Sequence, residues 1–246
     1  LSASFREIER ISEENTLKVL AAMRECKVSD IHFNTSSGYA YDDIGRAKLE
    51  ELYAKVFGAE SALVRTQFVS GTHALATVLF GILRPGDKLV SLTGAPYDTM
   101  QTVIGYAAPS PGSLKEYGIL YEELPLREGR VDAEKIAEII DEKTKMVLIQ
   151  RSRGYSQRPT LRIEDIREIC AEVHRKKPGC IAFVDNCYGE FVEEQEPTQA
   201  GADIMAGSLI KNPGGGLAPT GGYIVGRKDL VELAAYRLTA PGMGAE

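Results

Sequence analysis

The spacing of apolar positions switches repeatedly along this chain between a helical repeat and short continuous runs. Over residues 4–26 the side chains of Ile8, Ile11, Leu20 and Met23 fall on one stripe among many charges, which predicts a helix with a single buried face. Residues 34–43 are small and polar and read as a loop. Helical spacing resumes over 47–57 through Leu49, Leu52, Tyr53 and Val56, and Gly58 suits the stop behind it. From there the types alternate. Strands are predicted at 61–66, 88–92, 119–124, 145–150, 181–184, 204–208 and 222–225. Helices are predicted at 71–83, from Asp132 to 140, at 163–175 and at 229–238. The first of these, over 71–83, holds almost no charge and is therefore buried. Between 92 and 119 the chain carries Pro96, Pro109 and Pro111 and reads as a long connection. Such alternation predicts an α/β fold, a mainly parallel sheet sandwiched by helices.

Bulk properties narrow the functional classes. With 246 residues, 43% of them hydrophobic, the chain can bury a large core. A formal net charge of −6 without a long basic run argues against nucleic acid as a partner. Cys26, Cys170, Cys180 and Cys187 form no CxxC pair and match no usual zinc spacing, so reduced thiols in a cytoplasmic protein are the simplest account. No apolar run approaches membrane-spanning length and no signal-peptide core is present, so the expectation is a soluble protein without a membrane partner. The sequence closes on Pro241-Gly242-Met243-Gly244-Ala245-Glu246, an odd place for a domain to finish, and reads as a piece of a longer protein.

Candidate chemistry gathers at strand ends, where parallel α/β sheets bind their ligands. In Gly207-Ser208-Leu209-Ile210-Lys211-Asn212-Pro213-Gly214-Gly215-Gly216, one lysine stands between a strand and a glycine run that lets a backbone approach a ligand closely. Upstream, the apolar run Ile181-Ala182-Phe183-Val184 ends in Asp185. Val69-Ser70-Gly71-Thr72-His73 opens the buried helix, whose free N–H groups and Thr72 hydroxyl suit a phosphate. Each feature alone has a plain structural explanation: Ser70 or Thr72 as an N-cap, Asp185 as the cap of the next turn, Lys211 as a solvated loop lysine. A nucleotide-binding domain is disfavoured, because Lys211 is followed by Asn212-Pro213 and no GxGxxG opens the first helix.

Taken together, the order Gly71-Thr72, Tyr97, Asp185, Ser208 and Lys211 resembles the fold-type I pyridoxal-phosphate enzymes of the Cys/Met-metabolism group. Tyr39-Ala40-Tyr41-Asp42-Asp43-Ile44-Gly45-Arg46, Val69-Ser70-Gly71-Thr72-His73-Ala74, Leu83-Arg84-Pro85-Gly86-Asp87 and Val184-Asp185-Asn186-Cys187-Tyr188-Gly189-Glu190-Phe191 are most similar to the methionine γ-lyase-like, or aluminium-resistance, family. The resemblance covers essentially the whole chain. It implies pyridoxal 5′-phosphate as cofactor, a cofactor-binding large domain over 46–246 behind an N-terminal helix and loop over 1–45, and a small C-terminal domain that this sequence lacks.

The resemblance also implies roles. Lys211 would bond covalently to the cofactor and later move protons, and Asp185 would pair with the pyridine nitrogen. Tyr97 would stack on the ring, while Gly71, Thr72 and Ser208 hold the phosphate. Tyr41 would reach the phosphate of a neighbouring subunit, which implies a homodimer or homotetramer; Arg46 stands between that role and pairing with Glu50 at helical spacing. Arg153 would replace the substrate-carboxylate arginine of the absent domain, whereas Arg151 is expected to be solvated at the surface. His73 and Cys187 are expected to be a helix-start histidine and a packed small residue. The implied activity is β- or γ-elimination on a sulfur-containing amino acid. An aldolase or aminotransferase would use the same lysine–acid pair, and a regulatory protein could keep the cofactor without turnover.

Overall fold

The computed structural model describes residues 2–35, 42–108 and 110–245. Continuous apolar runs become strands because both of their faces are covered. The strands are β1 (Ser61–Arg65), β2 (Lys88–Ser91), β3 (Leu120–Glu123), β4 (Thr144–Gln150), β5 (Ile181–Asp185), β6 (Ile204–Ser208) and β7 (Gly222–Gly226); in all but the edge strand β3, whose side chains are exposed or half-buried, side chains alternate between two cores. In β4, Met146 and Leu148 oppose Val147 and Ile149; in β5, Ile181 and Phe183 oppose Ala182 and Val184. One core is closed by α3 (Gly71–Ile82), α4 (Asp98–Ile104) and α7 (Lys228–Leu238). The other is closed by α1 (Ser2–Glu25), α2 (Ile44–Val56), α5 (Ala133–Ile139) and α6 (Ile163–Lys176).

The strands run in the order β1-β7-β6-β5-β4-β2-β3, and β2 to β6 are mutually parallel wherever they pair. β7 is antiparallel to both β6 and β1. The physical reason is the β6–β7 connection, which carries Lys211 and has no crossover helix to return the chain to the start of the sheet. The parallel strands therefore deliver Gln150, Asp185 and Ser208 to one end of the sheet.

One expectation needs correction. The proline-marked connection after β2 contains α4, which begins directly after Pro96 and Tyr97 and ends at Gly105 in the left-handed region (φ 77°). Pro96 and Pro111 flank the helix rather than interrupt it, and a helix of seven residues is too short to show a convincing apolar repeat.

Candidate active site

Asp185 is the last residue of β5 and is buried, with its carboxylate accepting one hydrogen bond from the Cys187 N–H at 3.1 Å. Among the described residues no cation lies within salt-bridge distance of it. Burial raises the Asp185 carboxyl above its ordinary value, against the opposing pull of Cys187 and Lys211. On the neighbouring strand Ser208 is buried as well, and its Oγ has no hydrogen-bond partner among the described residues. A buried hydroxyl without a partner is uncommon, because the lost hydration is not replaced. Gly71, the first residue of α3, packs directly against this serine: a Cβ there would stand 3.0 Å from Ser208 Cβ and 3.5 Å from Cys187 Sγ. The site thus holds a helix start whose first N–H groups have no intrahelical acceptor, facing an unpartnered hydroxyl. That combination suits the phosphate of a cofactor.

Lys211 opens the short 3₁₀ turn Asn212–Gly214 and is half-buried. Its Nζ lies over the ring of Tyr188, 4.2 Å from the centroid. Burial alone would lower its ammonium, but Cys187, Tyr188 and Asp185 outweigh it and hold the group above its ordinary value. Cys187 interacts with both Asp185 and Lys211, and burial pushes its thiol far up. Tyr188 itself has φ 68°, in the left-handed region.

Tyr97 stands at the start of α4, where its N–H donates to Gln150 Oε1 at 2.9 Å. Its hydroxyl and Thr72 Oγ1 share a hydrogen bond of 2.8 Å, joining two residues 25 apart at the helix start. Burial raises the phenol strongly, so it is protonated at neutral pH. Tyr97 and Gln150 also line a cavity of about 570 Å³ at the ends of β2, β3 and β4, together with Arg153 and the buried Arg158. Arg153 is exposed at its rim. Another cavity, of about 610 Å³, lies between α1, α2 and β1 and holds none of the residues named for the site except by way of Arg46.

Gly71, Thr72, Tyr97, Asp185, Ser208 and Lys211 are accordingly all present at this end of the sheet, while Tyr41 lies outside the described residues. The expectation for Arg151 is overturned. It is 1% exposed, one of the most buried large side chains, and donates to Asn186 Oδ1 at 2.9 Å, Gly189 O at 2.7 Å and Glu193 Oε1 at 2.8 Å. The signal for this was the apolar strand before it: a residue one step beyond a fully covered strand can still be inside. Glu50, one of the two partners weighed for Arg46, is engaged by Arg65 and by the Val64 N–H. Ser70, not Thr72, caps α3, by accepting from the His73 N–H. His73 behaves as a helix-start residue, its Nδ1 accepting from the Val69 N–H. Sequence reasoning missed Tyr188 beneath Lys211, Gln150 behind Tyr97 and the placement of Cys187 inside the site; none belongs to a local repeat.

Comparison with known proteins places the chain. The family described as Methionine gamma-lyase matches residues 1–246. The uncharacterized protein YnbB of Bacillus subtilis is 53% identical over 243 residues, 98% of this chain and 58% of that protein. A crystal structure of a carbon-sulfur lyase involved in aluminum resistance from Clostridium novyi NT superposes with a TM-score of 0.95 at 51% identity, covering 98% of this chain and 58% of that one. Apo CalE6, a methionine gamma lyase from Micromonospora echinospora, matches with a TM-score of 0.64 at 26% identity, over 87% of this chain and 53% of its own. The chain spans a little over half the length of each of these three proteins. On the family match and these similarities, the chain belongs to the methionine gamma-lyase family.

Proposed function

We propose that this chain is the cofactor-binding part of a pyridoxal-phosphate-dependent carbon–sulfur lyase, which carries out β- or γ-elimination on a sulfur-containing amino acid. The observation that carries the reading is an unfinished polar site. Among the described residues Asp185 is buried without a salt bridge and Ser208 Oγ is buried without a partner, and both sit beside the start of α3 and Lys211. These residues fit the cofactor well. Gly71, Thr72 and Ser208 would bind its phosphate, Asp185 would hold a proton on its ring nitrogen, and Lys211 would anchor it covalently. When bound, pyridoxal phosphate supplies an electron-withdrawing ring that stabilises negative charge at the substrate α-carbon.

The chain's own groups then account for the remaining needs of an elimination. Lys211 Nζ, in its deprotonated form, would take the α-proton, and its contact with the Tyr188 ring would position it. The Tyr97 hydroxyl, protonated and held by Thr72, would lend a proton to the departing sulfur. Arg153, at the rim of the cavity beside Tyr97, would receive the substrate carboxylate. Tyr41 would complete the phosphate site of a partner subunit in a homodimer or larger assembly.

The test is direct. The full-length protein, loaded with pyridoxal phosphate and reduced with borohydride, should carry the pyridoxyl group on Lys211. With cysteine, homocysteine-derived or methionine-like substrates it should then release ammonia and a 2-oxo acid without an added amino acceptor. A label on another lysine, such as Lys228, would remove the assignment. Strict dependence on a 2-oxo acid acceptor would indicate an aminotransferase, release of an aldehyde an aldolase, and silence across the panel a regulatory protein.

A further inference from the structure

Behind the Asp185–Lys211 pair lies a second acid that the roles above do not use. Glu190 is 1% exposed, and its Oε1 accepts a hydrogen bond of 2.6 Å from the Tyr223 hydroxyl. Its Oε2 is buried without a partner among the described residues. The same residue ties two parts of the site together, because its backbone carbonyl accepts from Asn212 Nδ2 at 3.0 Å, one residue beyond Lys211. On the strand that leads to the lysine, a Cβ on Gly207 would stand 2.6 Å from Glu190 Oε1 and 2.5 Å from the Tyr223 hydroxyl. Only glycine leaves room for this pair against β6. The loop bringing Glu190 there bends through left-handed backbone at Tyr188 and Phe191 (φ 68° and 63°), a conformation held against its intrinsic cost.

We propose that Glu190 is a positioning residue for the Asp185–Lys211 site, a buried acid that braces the lysine loop and sets the charge behind it. The proposal rests on the reading of Lys211 and Asp185 as the working pair. The groups facing Glu190 are Tyr53 from α2, Tyr223 from β7, Glu196 ahead of the turn at Pro197–Ala200, and Asp185 and Cys187 at the end of β5. No cation pairs with it among the described residues. Burial raises its carboxyl to about 7, with Glu196 and Asp185 adding to the rise and the Tyr223 hydrogen bond opposing it. In its neutral form Glu190 leaves Lys211 facing the Asp185 carboxyl alone. Once ionised it adds a negative charge on the same side, which favours the protonated amine of Lys211.

Two measurements test this. In cofactor-free full-length protein, trace labelling with acetic anhydride across a pH series, read on the Lys211 peptide by mass spectrometry, gives the midpoint at which that amine becomes reactive. Glu190→Gln, which keeps the shape and removes the charge, should lower that midpoint by about half a pH unit or more. An unchanged midpoint in a folded variant would overturn the proposal. Tyr223→Phe provides the second arm: without its donor Glu190 keeps its proton to higher pH, so the fall of melting temperature with rising pH should end at a higher pH than in the wild type. A fall at an unmoved pH would overturn it as well. Borohydride labelling of the wild type separates this from the wider reading. A label absent from Lys211 would overturn both, whereas a label on Lys211 with no effect of either substitution would overturn the role of Glu190 alone.

Discussion

Two buried polar clusters meet at the end of β5, and they are built on opposite terms. Around Arg151 the polar groups answer one another: its guanidinium reaches Asn186, Gly189 and Glu193, and Glu196 accepts from the Phe191 N–H and from Asn186 Nδ2. Around Asp185 they do not. Among the described residues the carboxylate has one backbone donor, Ser208 Oγ has none, and Lys211 rests against an aromatic ring and a thiol. The clusters are joined across adjacent strand ends, since the Arg151 N–H also donates to Asp185 O at 3.0 Å. A complete cluster stabilises the fold, and an incomplete one next to it is what a ligand can complete. Position 185 is thus held by its neighbour's saturation while its own side chain stays available.

Substitutions should separate the two. The largest effect is expected from Lys211→Ala, which should abolish the borohydride-stable cofactor label while leaving the denaturation midpoint near that of the wild type. Asp185→Asn should still take up cofactor but lose turnover by about a thousandfold, if the contact with the ring nitrogen is worth roughly 4 kcal/mol. Its stability in urea should be unchanged or higher, because a desolvated carboxylate with no salt bridge among the described residues has been removed. Near-wild-type turnover would reduce Asp185 to a turn cap.

Arg151→Met should do the reverse. Breaking a buried ion pair from one side costs about 3–5 kcal/mol, since Glu196 loses its cation while still enclosed and the half-buried Glu193 loses its partner. Urea denaturation would read this, and a loss of activity without a loss of stability would erase the contrast drawn above.

Glu190, at the border of the two clusters, should show in the pH dependence of stability. Its folded value of about 7 lies above the ordinary 4.5, so the folded chain binds more protons than the unfolded one between those limits. Its contribution is therefore greatest below pH 4.5 and is lost as pH rises towards 7, by about 3 kcal/mol in all. Glu190→Gln should flatten that part of the curve. The smallest effect is expected at Thr72→Val, which removes the 2.8 Å bond to Tyr97 and should weaken cofactor binding severalfold, corresponding to about 1 kcal/mol. Equilibrium dialysis with pyridoxal phosphate would measure it.

Much of this protein is legible in its sequence by itself. The change between helical spacing and continuous apolar runs locates the seven strands and most helices, because element type follows from local periodicity and from whether one face or two are covered. Motif order is local too: Gly71-Thr72, Asp185 and Ser208 with Lys211 three residues later can be read without knowing what lies beside them. Other features depend on partners far along the chain, and these only the tertiary structure decided. Thr72 meets Tyr97, Glu190 meets Tyr223, and Asn212 meets the Glu190 carbonyl across separations of 25, 33 and 22 residues. Arg151 belongs to this second group. A charge one residue past a strand looks exposed in any local window, and it is buried here because Asn186, Gly189 and Glu193 come from another loop to satisfy it. The sequence specifies which groups are available, and packing determines which are answered and which remain open for a ligand.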